Sequence, residues 1–240
     1  MNDASLIKIL GEGVISLRGQ FLYGSNYTYF TDVTYRDETV KAVYKPMRGE
    51  MPLWDFPSKS LAGREVAAWQ MSEALGWKLV PLTILRDMET FLGSGSLQLF
   101  VEHDPNFHYF TFDEDTRQKL RPVALFDLII NNADRKGGHM IIDPEGQVKV
   151  IDHGLCFHTE DKLRTVVWDF TNEDIPQDLL SDLERIQPQL EEGKGLQIAL
   201  AMYLSSEEIA SLIDRIKRLL ASKRFPEPAK DRRVFPWPPV

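Results

Sequence analysis

A single cysteine, Cys156, is all the chain carries for thiol chemistry. An intrachain disulfide is therefore impossible. Five histidines are present, and His139, His153 and His158 crowd one region, but no Cys/His pattern of a structural zinc site exists. Nowhere do about 18 apolar residues run together, the length a membrane-crossing helix needs. The opening MNDASLIKIL lacks the basic start and long apolar stretch of a secretion signal. Internal repeats and low-complexity tracts are also lacking. Positive charge is in deficit: 28 Lys and Arg face 36 Asp and Glu, a net charge of −8. Proteins that grip duplex DNA or an anionic membrane usually present a basic face. These absences together predict a cytoplasmic protein with no nucleic-acid partner and no stable membrane anchor.

What is present is a chain of 240 residues, 43% hydrophobic and 27% charged, enough for one large domain or a compact bilobal one. Residues 6–44 are rich in aromatic and β-branched residues broken by glycines. Segments 14–17, 21–23, 27–33 and 40–44 read as antiparallel strands. Residues 46–60 form a Pro/Gly-containing loop with an exposed-looking Leu53-Trp54-Asp55-Phe56. Residues 61–75 read as a helix stopped by Gly76, and 80–85 and 97–101 as further strands. Beyond residue 103 the pattern turns helical: a short helix from Asp113, an apolar one over 123–131, and amphipathic ones over 179–186 and 207–220. The proline-dense tail FPEPAKDRRVFPWPPV reads as extended. The expectation is an α+β, bilobal, atypical protein-kinase-like fold. An antiparallel-sheet lobe would span residues 1–102 and a mainly helical lobe residues 103–240.

The stretch 131–157, NNADRKGGHMIIDPEGQVKVIDHGLCF, carries the chemistry. Asp134 and His139 stand five positions apart, the spacing of the Asp and Asn of a kinase catalytic loop. Two short apolar runs flank Pro144-Glu145-Gly146-Gln147, and the second ends at Asp152-His153-Gly154, an Asp-x-Gly of the magnesium-binding kind. A hairpin centred on Glu145-Gly146 would pair Met140 with Ile151 and set His139 opposite Asp152. Two metal ligands would then share one hairpin end. Carboxylates at the ends of apolar strands need compensation, which a bound cation supplies.

Other residues join in kinase order. Lys45 ends the strand KAVYK, where a lysine grips nucleotide phosphates, and Glu65 follows inside the next helix, where that lysine's partner would be. Gly24-Ser25-Asn26 is the turn favoured as phosphate cover, with Ser25 and Asn26 as donors. The run LQLFVE, residues 97–102, reads as the strand and hinge lining an adenine pocket, or as a plain buried strand. Asp134 is the candidate that orients or deprotonates the attacking group, and Arg135 the candidate that stabilises the transferred phosphate. The cofactors expected are ATP with Mg2+ or Mn2+.

These motifs resemble the phosphatidylinositol 3-/4-kinase-related superfamily, with type II phosphatidylinositol 4-kinases and HipA-like kinases among its similar members. The resemblance rests on Asp134-Arg135, the Asp152-His153-Gly154 element, Tyr44-Lys45-Pro46, Arg64-Glu65-Val66-Ala67-Ala68 and the string Val80-Pro81-Leu82-Thr83. More closely still, GEMPLWDFP, NNADRKGGH, VIDHGLCFH and KLRTVVW resemble a bacterial family of such kinase-related proteins that brings no established substrate with it. Two departures stand out. The family's Asn ligand is His139, and magnesium prefers oxygen. No cysteine cluster suits palmitoylation, and the region just after Gly154 has only scattered cations, Lys162 and Arg164, where a phosphoinositide head group would want a denser basic cluster.

The resemblance implies an ATP-dependent phosphotransferase whose acceptor is a protein or small molecule. Alternatives are a nucleotide-binding pseudokinase docking a partner through Trp54, Phe56 and the tail, a protein AMP-transferase, and a lipid kinase.

Overall fold

Strand β3 shows how the sequence builds the first sheet. Along Glu38–Pro46, Ala42, Tyr44 and Pro46 are buried while Lys41, Val43 and Lys45 are less so, the period of two that sends alternate side chains to opposite faces. In the computed structural model, which describes residues 3–21, 26–87 and 92–240, α1 (Asp3–Glu12) leads into β1 (Val14–Gln20), β2 (Tyr29–Tyr35) and β3. After α2 (Leu61–Leu75), β4 (Thr83–Asp87) and β5 (Ser94–Leu99) complete a five-stranded antiparallel sheet in the order β1-β2-β3-β5-β4. Lys45 pairs with Ser96, and Tyr44 with Leu97. One face of β3 puts Ala42 and Tyr44 into a core shared with Ile9, Leu10, Val33 and Leu97. The other leaves Val43 and Lys45 facing the cleft.

Helix α1 is absent from the sequence reading, because only Ile9 and Leu10 of its ten residues are buried and so short an apolar stripe carries little periodicity. Its end packs tightly on the sheet. A Cβ on Gly13 would lie 2.5 Å from the Ile9 carbonyl. Of the strand expected over 21–23, Phe21 lies outside β1, and residues 22–25, Gly24 and Ser25 included, lie outside the described residues.

Helix α2 forms over the expected span and stops at Gly76, whose φ of +74° is the left-handed cap that glycine adopts without strain. It is apolar on most sides and correspondingly buried. Ala67, Ala68, Met71 and Leu75 belong to a larger core with Val123, Phe126 and Ile130. That core is enclosed by α3 (Glu114–Gln118), α4 (Arg121–Ile130), α5 (Gln177–Ile186), α6 (Gly195–Ala201) and α7 (Ser206–Ser222). Asp113 caps α3 by accepting from Thr116 N–H at 2.8 Å. Ser205 and Glu208 form a capping box at α7.

Strands β6 (Met140–Ile142) and β7 (Val148–Val150) form the central hairpin, one residue out of the expected register: Met140 pairs with Val150, not Ile151. The turn explains the shift. The Asp143 carboxylate accepts from the N–H groups of Glu145 and Gln147 at 3.0 and 2.8 Å. Asp143 O accepts from Gly146 N at 2.9 Å, and Gly146 sits at φ +78°. This is a three-residue loop closed by a left-handed glycine, which has a different centre from a two-residue turn.

Candidate active site

Three chain segments meet at Lys45. Its Nζ lies 2.5 Å from Glu65 Oε1 of α2 and 2.9 Å from Asp152 Oδ1. Burial works against the ammonium, but the Asp152 and Glu65 carboxylates outweigh it and hold the lysine pKa above its usual range. Lys45 in turn holds the Asp152 carboxyl well below the usual carboxylate range. Glu65 is 3% exposed, and its second oxygen accepts from His153 N–H at 2.9 Å. One buried carboxylate thus ties the sheet lysine to the backbone of the Asp-x-Gly element. Asp152 itself sits at φ +64°, a left-handed conformation Asp tolerates better than most residues.

The register shift does not separate the two expected ligands. His139 O accepts from Ile151 N–H at 3.0 Å, and His139 Nε2 lies 3.4 Å from Asp152 Oδ2. Burial, reinforced by Arg135, Lys45 and Lys136, pushes the imidazole down to about 4. His139 is therefore neutral near pH 7 and able to ligate a metal. Among the described residues no group of three His, Cys, Asp or Glu side chains forms a metal cluster. The donor set is one carboxylate and one imidazole. That fits a cation delivered with a nucleotide, whose phosphates and waters would complete its oxygen shell, better than a resident metal.

Asp134 lines the same cleft. Its backbone N–H donates to Asn132 Oδ1 at 2.9 Å, and its carboxylate lies 3.4 Å from Lys136 Nζ. Burial raises its pKa, and the Asp152 charge adds to the rise. The cavity, about 540 Å³, runs from these polar groups to an apolar end at Leu99, Phe100, Val101, Ile141 and Ile151. The expected hinge strand therefore does line it. Asn26 lines it too, with its Oδ1 accepting from Met51 N–H at 2.8 Å.

Arg135 does not face this cleft. It is fully buried, and its guanidinium donates to Asp127 at 3.0–3.1 Å, to Ile151 O at 2.8 Å and to His153 Nε2 at 2.8 Å. A guanidinium so enclosed has no N–H directed at a substrate. The expected phosphate contact gives way to a brace that holds the residues on either side of Asp152. Because arginine only donates, His153 Nε2 accepts and the ring proton sits on Nδ1, 3.8 Å from Glu65 Oε2. Phe56 is likewise buried, packed on the Arg64 guanidinium at 4.9 Å and edge-on to His158, so it offers no exposed docking group. Trp54 is 91% exposed, with Lys162 Nζ 4.9 Å from its ring centre.

Sequence reasoning missed two residues. Asp127 is fully buried in α4, where it also accepts from Asn132 Nδ2 and Thr165 Oγ1 at 3.1 and 3.2 Å. A lone acid inside VALFDLII was the available signal, since a buried carboxylate requires a cation. Arg64 is 1% exposed, donates to Cys156 O at 2.6 Å and pairs with Glu208 of α7. It was read only as part of a string. The segment 162–168 is tied down by backbone bonds: Arg164 N donates to Asn132 O, Val166 N to Arg135 O, and Thr165 N to Val234 O of the tail. The tail also reaches the loop that follows Asp134, with Gly137 N donating to Pro239 O at 2.7 Å.

The two histidines predict an acid sensitivity. Burial, with Arg135 and Lys45, holds His153 well below its ordinary value, as it holds His139. A histidine whose folded pKa is depressed contributes stability that is complete above about pH 6.5 and is lost as pH falls toward its folded pKa. For His139, a fall from 6.5 to about 4 corresponds to about 3 kcal/mol. Asp152, also depressed, adds its loss only below about pH 4. Denaturant midpoints of the metal-free protein should therefore decline between about pH 7 and about pH 4.5. A flat profile over that window would mean that the rings are not held neutral.

No helix among the described residues is long and apolar enough to cross a membrane. Comparison with known proteins agrees with the geometry. The Phosphatidylinositol 3- and 4-kinase family profile matches residues 76–200. Protein Rv2133c of Mycobacterium tuberculosis is 37% identical over 265 aligned positions, covering 96% of this chain and 94% of the relative. Among solved structures, the Helicobacter pylori proinflammatory kinase CtkA superposes with a TM-score of 0.57 at 13% identity, covering 90% of this chain and 94% of that one. Hydra Fam20, solved with sugar, gives 0.57 at 13% identity over 92% and 88%. The Golgi casein kinase gives 0.51 at 14% identity over 92% and 74%. These distant likenesses establish an α+β atypical protein-kinase fold. The profile match and the mycobacterial relative place the chain in the phosphatidylinositol 3- and 4-kinase family.

Proposed function

We propose that the protein is an ATP-dependent phosphotransferase acting on a protein or small-molecule acceptor. The observation that supports this most is the Lys45 ammonium held between Glu65 and Asp152 at 2.5 and 2.9 Å, because it joins a sheet, a helix and an Asp-x-Gly element in kinase fashion. In this reading the adenine lies against Leu99, Phe100, Ile141 and Ile151. Lys45 contacts the phosphates, Asn26 helps cover them, and Asp152 with His139 holds Mg2+ or Mn2+. The cation, when bound with the nucleotide, offsets phosphate charge. Asp134 orients the acceptor hydroxyl and takes its proton, which its raised pKa suits it to do. Arg135 acts only through others, as a positioning residue. Catalysis is then mainly placement and electrostatic stabilisation.

Calorimetric titration of ATP with each metal tests the reading. Wild type should bind in a metal-dependent manner, and Asp152→Ala should lose at least about tenfold in affinity, the worth of one charged contact. Titrated alone, Mn2+ should bind weakly, since only two protein ligands are present. Equal ATP affinity in the variant would sink the proposed site.

His139 in the place of an asparagine supports a second reading, a pseudokinase that binds nucleotide and signals by conformation. That reading predicts ATP binding with no turnover under any divalent metal.

A further inference from the structure

The strings GEMPLWDFP, residues 49–57, and KLRTVVW, residues 162–168, take no part in the chemistry proposed for the cleft. The structure joins them. Asp55 Oδ2 lies 2.8 Å from Lys162 Nζ, and the two side chains are only 17% and 11% exposed. A charged pair so shielded from water is worth more than an ordinary surface pair. The Asp55 carbonyl also accepts from His158 Nε2 at 2.8 Å. Asn131 fixes the receiving segment. Its Oδ1 accepts from Lys162 N–H at 3.0 Å, and its Nδ2 donates to the His158 and Glu160 carbonyls at 2.9 and 2.6 Å. Asn131 is buried where α4 ends, just ahead of Asp134.

The first string is anchored at its other end to the sheet and to α2. Met51 N–H donates to Asn26 Oδ1 at 2.8 Å, and Tyr27 N–H to Gly49 O at 3.3 Å. The Glu50 carboxylate accepts from the N–H groups of Leu61 and Ala62 at 3.3 and 3.0 Å. Between these anchors Pro52, Leu53 and Trp54 make no backbone hydrogen bond among the described residues. Met51, Pro52 and Leu53 nevertheless line the same cleft as Asn26, Lys45 and Asp134. A stretch without backbone bonds of its own is placed by its ends and opens readily when one end is freed.

We propose that residues 49–56 form a strap across the phosphate side of the cleft, latched by the Asp55–Lys162 pair, so that breaking the latch speeds nucleotide release. The inference rests on the nucleotide reading of the cleft given above. Asp55 and Lys162 are positioning residues, since neither lines the cavity. With the latch closed, the Met51 N–H fixes the Asn26 amide over the cleft. With it open, the strap moves outward and Asn26 loses that donor. Opening of a cover changes the rate of release more than the rate of encounter.

Two measurements on the full chain test the latch. The first is hydrogen exchange in the nucleotide-free protein. Asp55→Ala and Lys162→Met should each speed exchange of the Tyr27 and Met51 amides about fivefold or more, with exchange in α4 and α7 unchanged. Asp55→Ala does not strand Lys162, which keeps Glu160 at 3.5 Å and the Trp54 ring at 4.9 Å. The second is release of a fluorescent ATP analogue, bound with Mg2+ and chased with unlabelled ATP. Each single variant should release it about fivefold faster or more. The double variant should be no faster than either single one, and Lys162→Arg, which keeps the pair, should match wild type. Unchanged exchange at Tyr27 and Met51 would overturn the latch. Faster exchange with unchanged release, or effects that add in the double variant, would overturn its hold on the nucleotide. A wild type that binds no nucleotide would overturn both that hold and the phosphotransferase reading, a failure told apart from that of the latch by exchange in the free protein.

Discussion

Replacing Asp134 by asparagine is expected to slow ATP turnover by about 10²–10⁴-fold, the usual worth of a positioned general base, while leaving ATP affinity within about twofold of wild type. The carboxylate and amide are nearly isosteric, so the Asn132 contact to the backbone of residue 134 and the Lys136 side chain can stay in place. What is lost is the ability to accept a proton and to carry charge beside Asp152. Burial and the Asp152 charge both raise the Asp134 pKa, bringing it closer to the range in which a base works at neutral pH. Phosphate release or label transfer from γ-labelled ATP measures the rate, and calorimetry measures the binding. A variant that turns over at the wild-type rate would remove Asp134 from the mechanism. A variant that loses ATP binding as well would show that the residue supports the cleft rather than the chemistry.

Removing the Arg135 guanidinium should have the largest effect on stability. Arg135 and Asp127 are both fully buried and bonded to each other at 3.0–3.1 Å. Arg135→Met strands a carboxylate in the core, a loss of about 3–5 kcal/mol, or about 10 °C in melting temperature for a chain of this size. Asp127→Leu added to Arg135→Met removes the stranded charge and should recover most of that loss, because a buried pair seldom outperforms apolar residues of similar volume. Turnover should not return with stability. Ile151 O and His153 Nε2, on either side of Asp152, would still lack the donor that positions them. Thermal melts and turnover of the single and double variants check both halves. Full activity in a restored double variant would reduce Arg135 to a packing role. Because the buried pair also bonds Asn132 and Thr165, it joins α4, the loop that carries Asp134 and the segment after residue 162 into one unit.

Much of this arrangement was legible before any coordinates. Helix α2 could be read because its apolar residues and its terminating glycine are local signals, and local geometry obeys them. Lys45, Glu65, Asp134, His139 and Asp152 could be named because each sits in a short string whose order along the chain is that of its family. The hairpin itself could be read, but not its register. Register depends on which backbone groups the Asp143 carboxylate captures, and a one-residue difference in loop length shifts every pair. Helix α1 escaped because two buried residues are too few to show a period.

Composition and motif order by themselves determined the fold class, the deficit of thiol and basic chemistry, and the set of residues proposed to bind a nucleotide and a cation. Only the tertiary structure decided what each charge does. It turned Arg135 from a phosphate contact into a brace on Asp127, linked Glu65 to the His153 amide, and left a buried Arg215 N–H of α7 without a partner among the described residues. The physical reason is that a charged side chain takes its role from its partners and its distance from water, and those partners lie 8, 88 and 86 residues away along the chain. Spacing along a sequence reports periodicity within a helix or strand. It carries no record of which buried charge will meet which.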